Sequence, residues 1–199
     1  MIALSVTIIL EIMLGLILET QHCAITKEEG DVTINIQFLS SKYRVRDLVP
    51  TDAELVYEAL KNNSIFYEYH PPMVTLESII EDMEALPPNK GYEDKHYTGF
   101  FHVDTLVAVM DLIEHYPQHG TALMGFFAMN AHLQGQGIGT AIISDSITYL
   151  AQLGFEKVRL GIDKGNPQSK AFWLENGFAF TGEEYESDGS TILVMERIL

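Results

Sequence analysis

The sequence predicts an α/β domain, α+β by some schemes, built on a mixed, mostly antiparallel twisted sheet flanked by helices. Three observations predict it. Residues 97–103, 106–113 and 122–129 are strand candidates joined by short turns at Asp104 and at 117–120, and successive strands with short connections form an antiparallel meander. Residues 122–162 read strand, glycine-rich loop, helix, strand, a unit whose two strands are separated by a helix and not by a tight turn. Helical patterns before the meander and after this unit supply the flanking helices.

Taken in order, residues 1–18 are strongly apolar but lack the positive start of a signal peptide. Glu11 stands in their middle, where a membrane-spanning helix would be penalised by roughly 2.5 to 3.5 kcal/mol, and the span is marginal for a bilayer. Three readings follow: a helix packed on the domain or on a second subunit of a homodimer, a membrane-associating segment, or the product of an upstream start site. Packing and the start site are favoured over the membrane. Residues 20–30 are polar linker, so 1–30 form an appendage and 31–199 the domain, with a recognisable core at 40–199. Val32, Ile34, Ile36 and Phe38 alternate with polar residues as in a half-buried strand.

Residues 43–48 alternate as a first core strand. Pro50 to Glu54 opens a helix with Thr51 as its cap and Glu54 as the other half of a capping box, and Asn62-Asn63 ends it. Thr75 caps a second helix with Ile79, Ile80 and Met83 on its apolar face, stopped by Pro87-Pro88. Residues 65–72 between them, Ile-Phe-Tyr-Glu-Tyr-His-Pro-Pro, read as an aromatic and prolyl loop. Beyond the meander, Ile143, Ile147 and Leu150 mark a helix that Gly154 terminates, and 157–162 return as a strand. Asn166-Pro167 has the cap and first-residue chemistry of a short helix to 176. Residues 178–183 and 192–197 close the sheet around a turn at Asp188-Gly189.

The chemistry concentrates at Gln134-Gly135-Gln136-Gly137-Ile138-Gly139-Thr140. A helix begins there, its first N–H groups have no internal partners, and glycines keep side chains away from them, so the local order suits an anion. No lysine follows Gly139 as a P-loop requires, and Gly-x-Gly-x-Gly is not the dinucleotide spacing. Gln134, Gly137 and Gly139 instead resemble motif A of the GNAT family of N-acetyltransferases, Gln/Arg-x-x-Gly-x-Gly/Ala. Asn166 through Gly177-Phe178 resembles that family's motif B. The element order β-α-α-β-β-β-α-β-α-β-β is similar to the family's over 40–199.

The resemblance implies a GNAT-like sheet whose parallel centre splays into a wedge, with acetyl-CoA as co-substrate and direct acetyl transfer to an amine in a ternary complex. It implies that backbone N–H groups of Gln134, Gly135, Gln136, Gly137, Ile138, Gly139 and Thr140 hold the pyrophosphate. Phe127, Ala128 and Met129 would pair with the pantetheine arm, the Met129 N–H polarising the thioester. Asn166, Ser169, Lys170 and Trp173 would complete the cofactor site, and Lys164 is a further cation for a terminal phosphate. Trp173 stands where the family carries an acidic tyrosine, and an indole cannot protonate a thiolate. Tyr149 or Tyr185 could serve instead, or the thiolate could leave unaided. Leu123 occupies the position of a glutamate base in several relatives, which leaves Asp111 and Glu114 as candidate catalytic carboxylates. A catalytically silent acyl-CoA-binding module is the alternative.

Composition narrows the partners. A formal charge of −16 argues against nucleic acid, which needs clustered Lys and Arg, and for a cationic acceptor: a polyamine, an aminosugar, a lysine side chain or a peptide N-terminus. Seven histidines show no metal-ligand spacing; His115 and His119 flank turn chemistry, so no metal is expected. Cys23 is the single cysteine and cannot form an internal disulfide, which fits a cytoplasmic setting and offers no acyl-enzyme nucleophile.

Overall fold

A computed structural model describes residues 2–3, 33–187 and 190–199 of the 199-residue chain. The meander forms as β3 (Lys95–His102), β4 (Thr105–Ile113) and β5 (Thr121–Met129), all antiparallel, within two residues of the predicted bounds. The short strand β2 (Arg44–Asp47) pairs with β3. β6 (Lys157–Asp163) runs parallel to β5, and β7 (Ala179–Ser187) with β8 (Ser190–Ile198) completes the order β2-β3-β4-β5-β6-β8-β7. The parallel register is confined to Thr121↔Lys157, Ala122↔Val158 and Leu123↔Arg159. Past Leu123 the two strands part, and a wedge opens toward their C-terminal ends.

Alternation along the strands sends two sets of side chains to opposite faces. On one face α1 (Ala53–Leu60), α2 (Ser64–Tyr69) and α3 (Leu76–Glu84) pack Val56, Phe66 and Ile79 against Val109, Phe126 and Ala128. On the other, α4 (Ile138–Gln152) and α5 (Pro167–Glu175) pack Ile143, Leu150 and Trp173 against Met110, Phe127 and Leu160. Each buried Val, Leu, Ile, Phe or Met side chain among these contributes about 1.5 to 3 kcal/mol. The sheet is covered on both faces, so the wedge opens between two helical layers.

One further strand enters this opening. β1, Ile2–Ala3, pairs antiparallel with Ala128 and Phe127. The opposite edge of these two residues already pairs with Val109 and Met110 of β4, so β1 lies on the edge that faces β6. The rest of the apolar stretch and the linker fall outside the described residues. Among the described residues no helix is long and apolar enough to cross a membrane.

Three local expectations need correction. Residues 33–35 have no regular structure and Ile36–Phe38 is a single 3-10 turn, not a strand, while Val32 lies outside the described residues. Side chains satisfy that backbone in place of a ladder: Glu114 accepts from the Ile34 N–H, Tyr149 from Asn35, and Asn35 Oδ1 from Gln37. Thr51 does not cap α1, because residues 50–52 form a 3-10 turn in which Asp52 accepts from Val49 N–H and pairs with Arg46. The aromatic stretch after Asn63 is helical, not loop, over Ser64–Tyr69. Thr75 caps α3 and Asn166 caps α5 as expected, whereas the turn at Asp188-Gly189 lies outside the described residues.

Candidate functional site

The glycine loop sits at the C-terminal end of β5 and turns directly into α4. Gly135 and Gly137 have φ of 72° and 74°, and among the described residues no atom lies within 4 Å of the place a Cβ would take, so glycine is needed there for conformation. Gly139 has a different reason: its Cβ would meet Met129 Sδ at 3.3 Å and Phe172 at 3.5 Å, so it lets α4 approach β5 closely. Gly137 is the N-cap, and among the described residues no side chain caps this helix. The N–H groups at Ile138, Gly139 and Thr140 therefore face outward with the positive end of the helix dipole. Gln136 and Thr140 are exposed.

Gln134 turns inward. Its Nε2 donates to Asn63 Oδ1 and its Oε1 accepts from Gln168 Nε2 at 3.5 Å, while Asn63 Nδ2 donates to Met129 O at 3.2 Å. The side chain of Asn63 thus ties the start of α2 to the end of β5 and, through Gln134, to α5. The Asn130 N–H donates to Val107 on β4. Successive residues of a strand point their N–H groups to opposite edges, so the Met129 N–H turns toward β6 and the wedge.

In motif B, Asn166 is buried and its Oδ1 accepts from the Ser169 N–H at 3.0 Å, with Ser169 itself buried. Lys170 is exposed with Nζ 5.7 Å from the Phe180 ring centroid. Trp173 is fully buried, its ring edge-on to Phe127, Phe172 and Phe178, and Nε1 has no hydrogen-bond partner among the described residues. Its position in the aromatic core supports Phe127 from behind. Lys164 reaches Glu184 at 2.7 Å, and Tyr185 lies beside Arg159 on the outer hairpin.

The two candidate carboxylates are sealed. Asp111 pairs with Lys95 Nζ at 2.8 Å, both side chains at most 2% exposed. Burial pushes its carboxyl up to about 6, against the opposing pull of Lys95, and Oδ1 has no hydrogen-bond partner among the described residues. Glu114 follows β4 at the closed end of the sheet, where Ile113 pairs with Leu123, and holds the Ile34 N–H and His96 Nε2, each at 2.8 Å. The structure does not bring Glu114 to the loop end.

Sequence reasoning did not single out a third buried carboxylate. Asp163 ends β6, is 3% exposed, and accepts from His70 Nδ1 at 3.0 Å. His70 is the C-cap of α2 and its ring stacks on Phe66 at 5.0 Å. Helix α2 therefore spans the mouth of the wedge, held by Asn63 to β5 at one end and by His70 to β6 at the other. The partners are 66 and 93 residues apart; the sequence marked 65–72 as an aromatic and prolyl stretch but carried no sign of these two distant partners.

Comparison with known proteins agrees with this geometry. A search of curated protein sequences found no significant match. Among solved structures, an acetyltransferase from Thermus thermophilus is similar with TM-score 0.65 and 21% identity, over 79% of this chain and 97% of that one. A spermidine N-acetyltransferase from Vibrio cholerae, in complex with CoA and spermine, gives TM-score 0.59 and 20% identity over 80% and 96% of the two chains. The paia N-acetyltransferase from Thermoplasma acidophilum, in complex with coenzyme A, gives 0.57 and 20% over 79% and 99%. These likenesses establish the fold. The model of the acetyltransferase (GNAT) family matches residues 59–178, from the end of α1 to the Gly-Phe of motif B, and the chain belongs to that family of acetyltransferases.

Proposed function

We propose that this enzyme transfers the acetyl group of acetyl-CoA directly to a cationic amine: a polyamine, an aminosugar, a lysine side chain or a peptide N-terminus. The single observation that carries the cofactor half is the glycine turn that leaves the α4 N–H groups uncapped at the wedge. In this reading the N–H groups of residues 134–140 hold the pyrophosphate, with Lys170 and Lys164 nearest a terminal phosphate. The edge of Phe127, Ala128 and Met129 pairs with the pantetheine arm, and the Met129 N–H polarises the thioester carbonyl. Asn166, Ser169 and Trp173 shape the wall against which the arm rests. Asp111 and Glu114, buried and engaged with Lys95 and His96, are structural here.

The acceptor's charge follows from the field. A chain of net charge −16 raises the local concentration of cations and repels carboxylates, while short-range N–H contacts hold the cofactor's phosphates. The spermine-bound Vibrio cholerae structure supports a polyamine, and the similar Brucella melitensis ribosomal-protein-alanine N-acetyltransferase supports a peptide N-terminus. The test is acetyl-CoA turnover across an amine library at two ionic strengths. Cationic amines should be preferred, with kcat/KM falling as salt rises and kcat less affected. Equal turnover of glutamate without salt dependence would sink the acceptor assignment.

A further inference from the structure

With the two sequence-derived carboxylates sealed in the core, the proton that the attacking amine must shed has no acceptor on β4. The His70–Asp163 pair supplies one. Val158, Leu160 and Ile162 of β6 pack on the α4–α5 face, so alternation puts Asp163 on the α1–α3 face, opposite the helix whose N–H groups suit the phosphates. Counting on from Leu123↔Arg159 brings Asp163 about level with Phe127 and Ala128, across the wedge from the edge assigned to the pantetheine arm. The pair therefore stands at thioester depth, on the face away from the α4 N–H groups, which the acetyl-transfer reading leaves to the acceptor.

Its internal arrangement also suits the task. The Asp163 side chain is 4% exposed and the His70 side chain 14%, so the carboxylate is enclosed while the ring retains access to solvent. A carboxylate accepts only, so Nδ1 carries the proton of the hydrogen bond. The neutral ring then has its lone pair on Nε2, which has no partner among the described residues. Phe66 stacks on the ring and Tyr69 packs 3.8 Å from the Cβ position of Gly165, fixing α2 against the end of β6. The other ionisable residues on these two elements are Tyr67, Glu68 and Tyr69 on α2 and Lys157 and Arg159 on β6, followed by Lys164, whose Nζ is taken by Glu184.

We propose that His70 is the general base of the acetyl transfer and that Asp163 is its positioning residue. As the N–C bond forms, Nε2 takes one proton from the amine nitrogen. The C–S bond then breaks with its electron pair going to sulfur, and the imidazolium returns the proton to the thiolate, leaving amide, thiol and neutral ring. Asp163 holds the tautomer and stabilises the transient imidazolium. This rests on the acetyl-transfer reading above.

The experiment uses the full chain with acetyl-CoA and spermidine, or a lysine peptide where the library favours it. His70→Gln should lower kcat about 100-fold or more with unchanged acetyl-CoA affinity, and should remove the one-proton ascending limb of the pH profile. Asp163→Asn should lower kcat about tenfold or more, and the double variant should be little worse than His70→Gln, because groups acting as a unit are not additive. Thermal midpoints identify any variant that fails to fold. For such a case, nitrogen NMR of the wild-type imidazole decides: a proton on Nδ1 supports the pair, a proton on Nε2 overturns it. An active wild type whose folded His70→Gln variant keeps its rate and pH limb overturns this inference alone. A wild type inert toward every amine overturns the acetyl-transfer reading and this one with it.

Discussion

The two sides of the wedge are built from different materials. On the α4 side the lining is backbone: a glycine turn at positive φ, uncapped N–H groups, and an aromatic floor of Phe127, Phe172 and Trp173. On the α2 side it is side chain against side chain: Asn63 to Met129, His70 to Asp163, and Lys95 to Asp111 deeper in the layer. Backbone donors present the same groups whatever residues carry them, which suits a constant cofactor. Ionisable pairs change with each substitution, which suits an acceptor that differs from one relative to another.

Substitutions on the two sides should therefore fail differently. The largest effect expected is that of Gly137→Glu. A carboxylate within about 4 Å of a phosphate at an effective dielectric near 20 costs on the order of 4 kcal/mol, about a thousandfold in acetyl-CoA affinity. Gly137→Asn tests the backbone separately, since asparagine tolerates the left-handed conformation that φ of 74° requires. Calorimetry should find its affinity largely kept, and equal loss in both variants would trace the effect to strain.

Next comes the buried pair on the other side. Asp111→Ala leaves Lys95 charged and enclosed, and should destabilise the fold by about 3 to 5 kcal/mol, whereas Asp111→Leu with Lys95→Met should recover most of it. The wild type also carries a pH signature here. The folded carboxyl is pushed up to about 6 from an ordinary 3.8, so this group's contribution is fully present below 3.8 and is lost as pH rises through 6. Denaturant unfolding between pH 4 and 7 should show that slope in the wild type and lose it in the apolar double variant.

Asn63 joins the two sides and so tests whether they are separate. Asn63→Ala strands Met129 O and Gln134, at about 1 to 3 kcal/mol of stability. If the cofactor side is self-sufficient, acetyl-CoA affinity changes by no more than about threefold, less than 1 kcal/mol. A larger loss would make Asn63 part of the cofactor site. The smallest effect expected is on the outer hairpin, where Arg159 holds the half-exposed Glu183 down to about 2. Its contribution is present above 4.5 and lost as pH falls through 2, so Glu183→Gln should give a shallower acid limb in thermal unfolding, with its loss largest at pH 7 yet no more than about 1 kcal/mol for so exposed a pair.

The same contrast explains what could be read from the letters. The meander strands, β6, the glycine loop and the caps at Thr75 and Asn166 are local: each depends on residues within a few positions of one another, and each appears within two residues of its predicted place. The failures were also local signals, overruled by distant partners. Residues 34–38 alternate like a strand, yet Glu114 and Tyr149 draw their N–H groups into side-chain bonds 80 and 114 residues away. Asp52 prefers the guanidinium of Arg46 to the capping arrangement that Thr51 suggested. Asp163 was indistinguishable from any carboxylate at a strand end, because its partner approaches only after α2 has folded across the wedge.

The short strand β1 changes the thermodynamics of whatever reaches that wedge. Ile2 and Ala3 already occupy the backbone edge of Ala128 and Phe127. An arm that pairs with the same edge enters by exchange, one ladder replacing another, and the number of hydrogen bonds made and broken is nearly equal. The enthalpy of that step then largely cancels. In the proposed binding mode affinity then comes from contacts that β1 does not duplicate, above all those of the phosphates with the α4 N–H groups. Two consequences are measurable: a cofactor fragment lacking the pyrophosphate competes poorly with the chain's own strand, and a chain beginning at Asp31 binds that fragment more tightly than the full chain does.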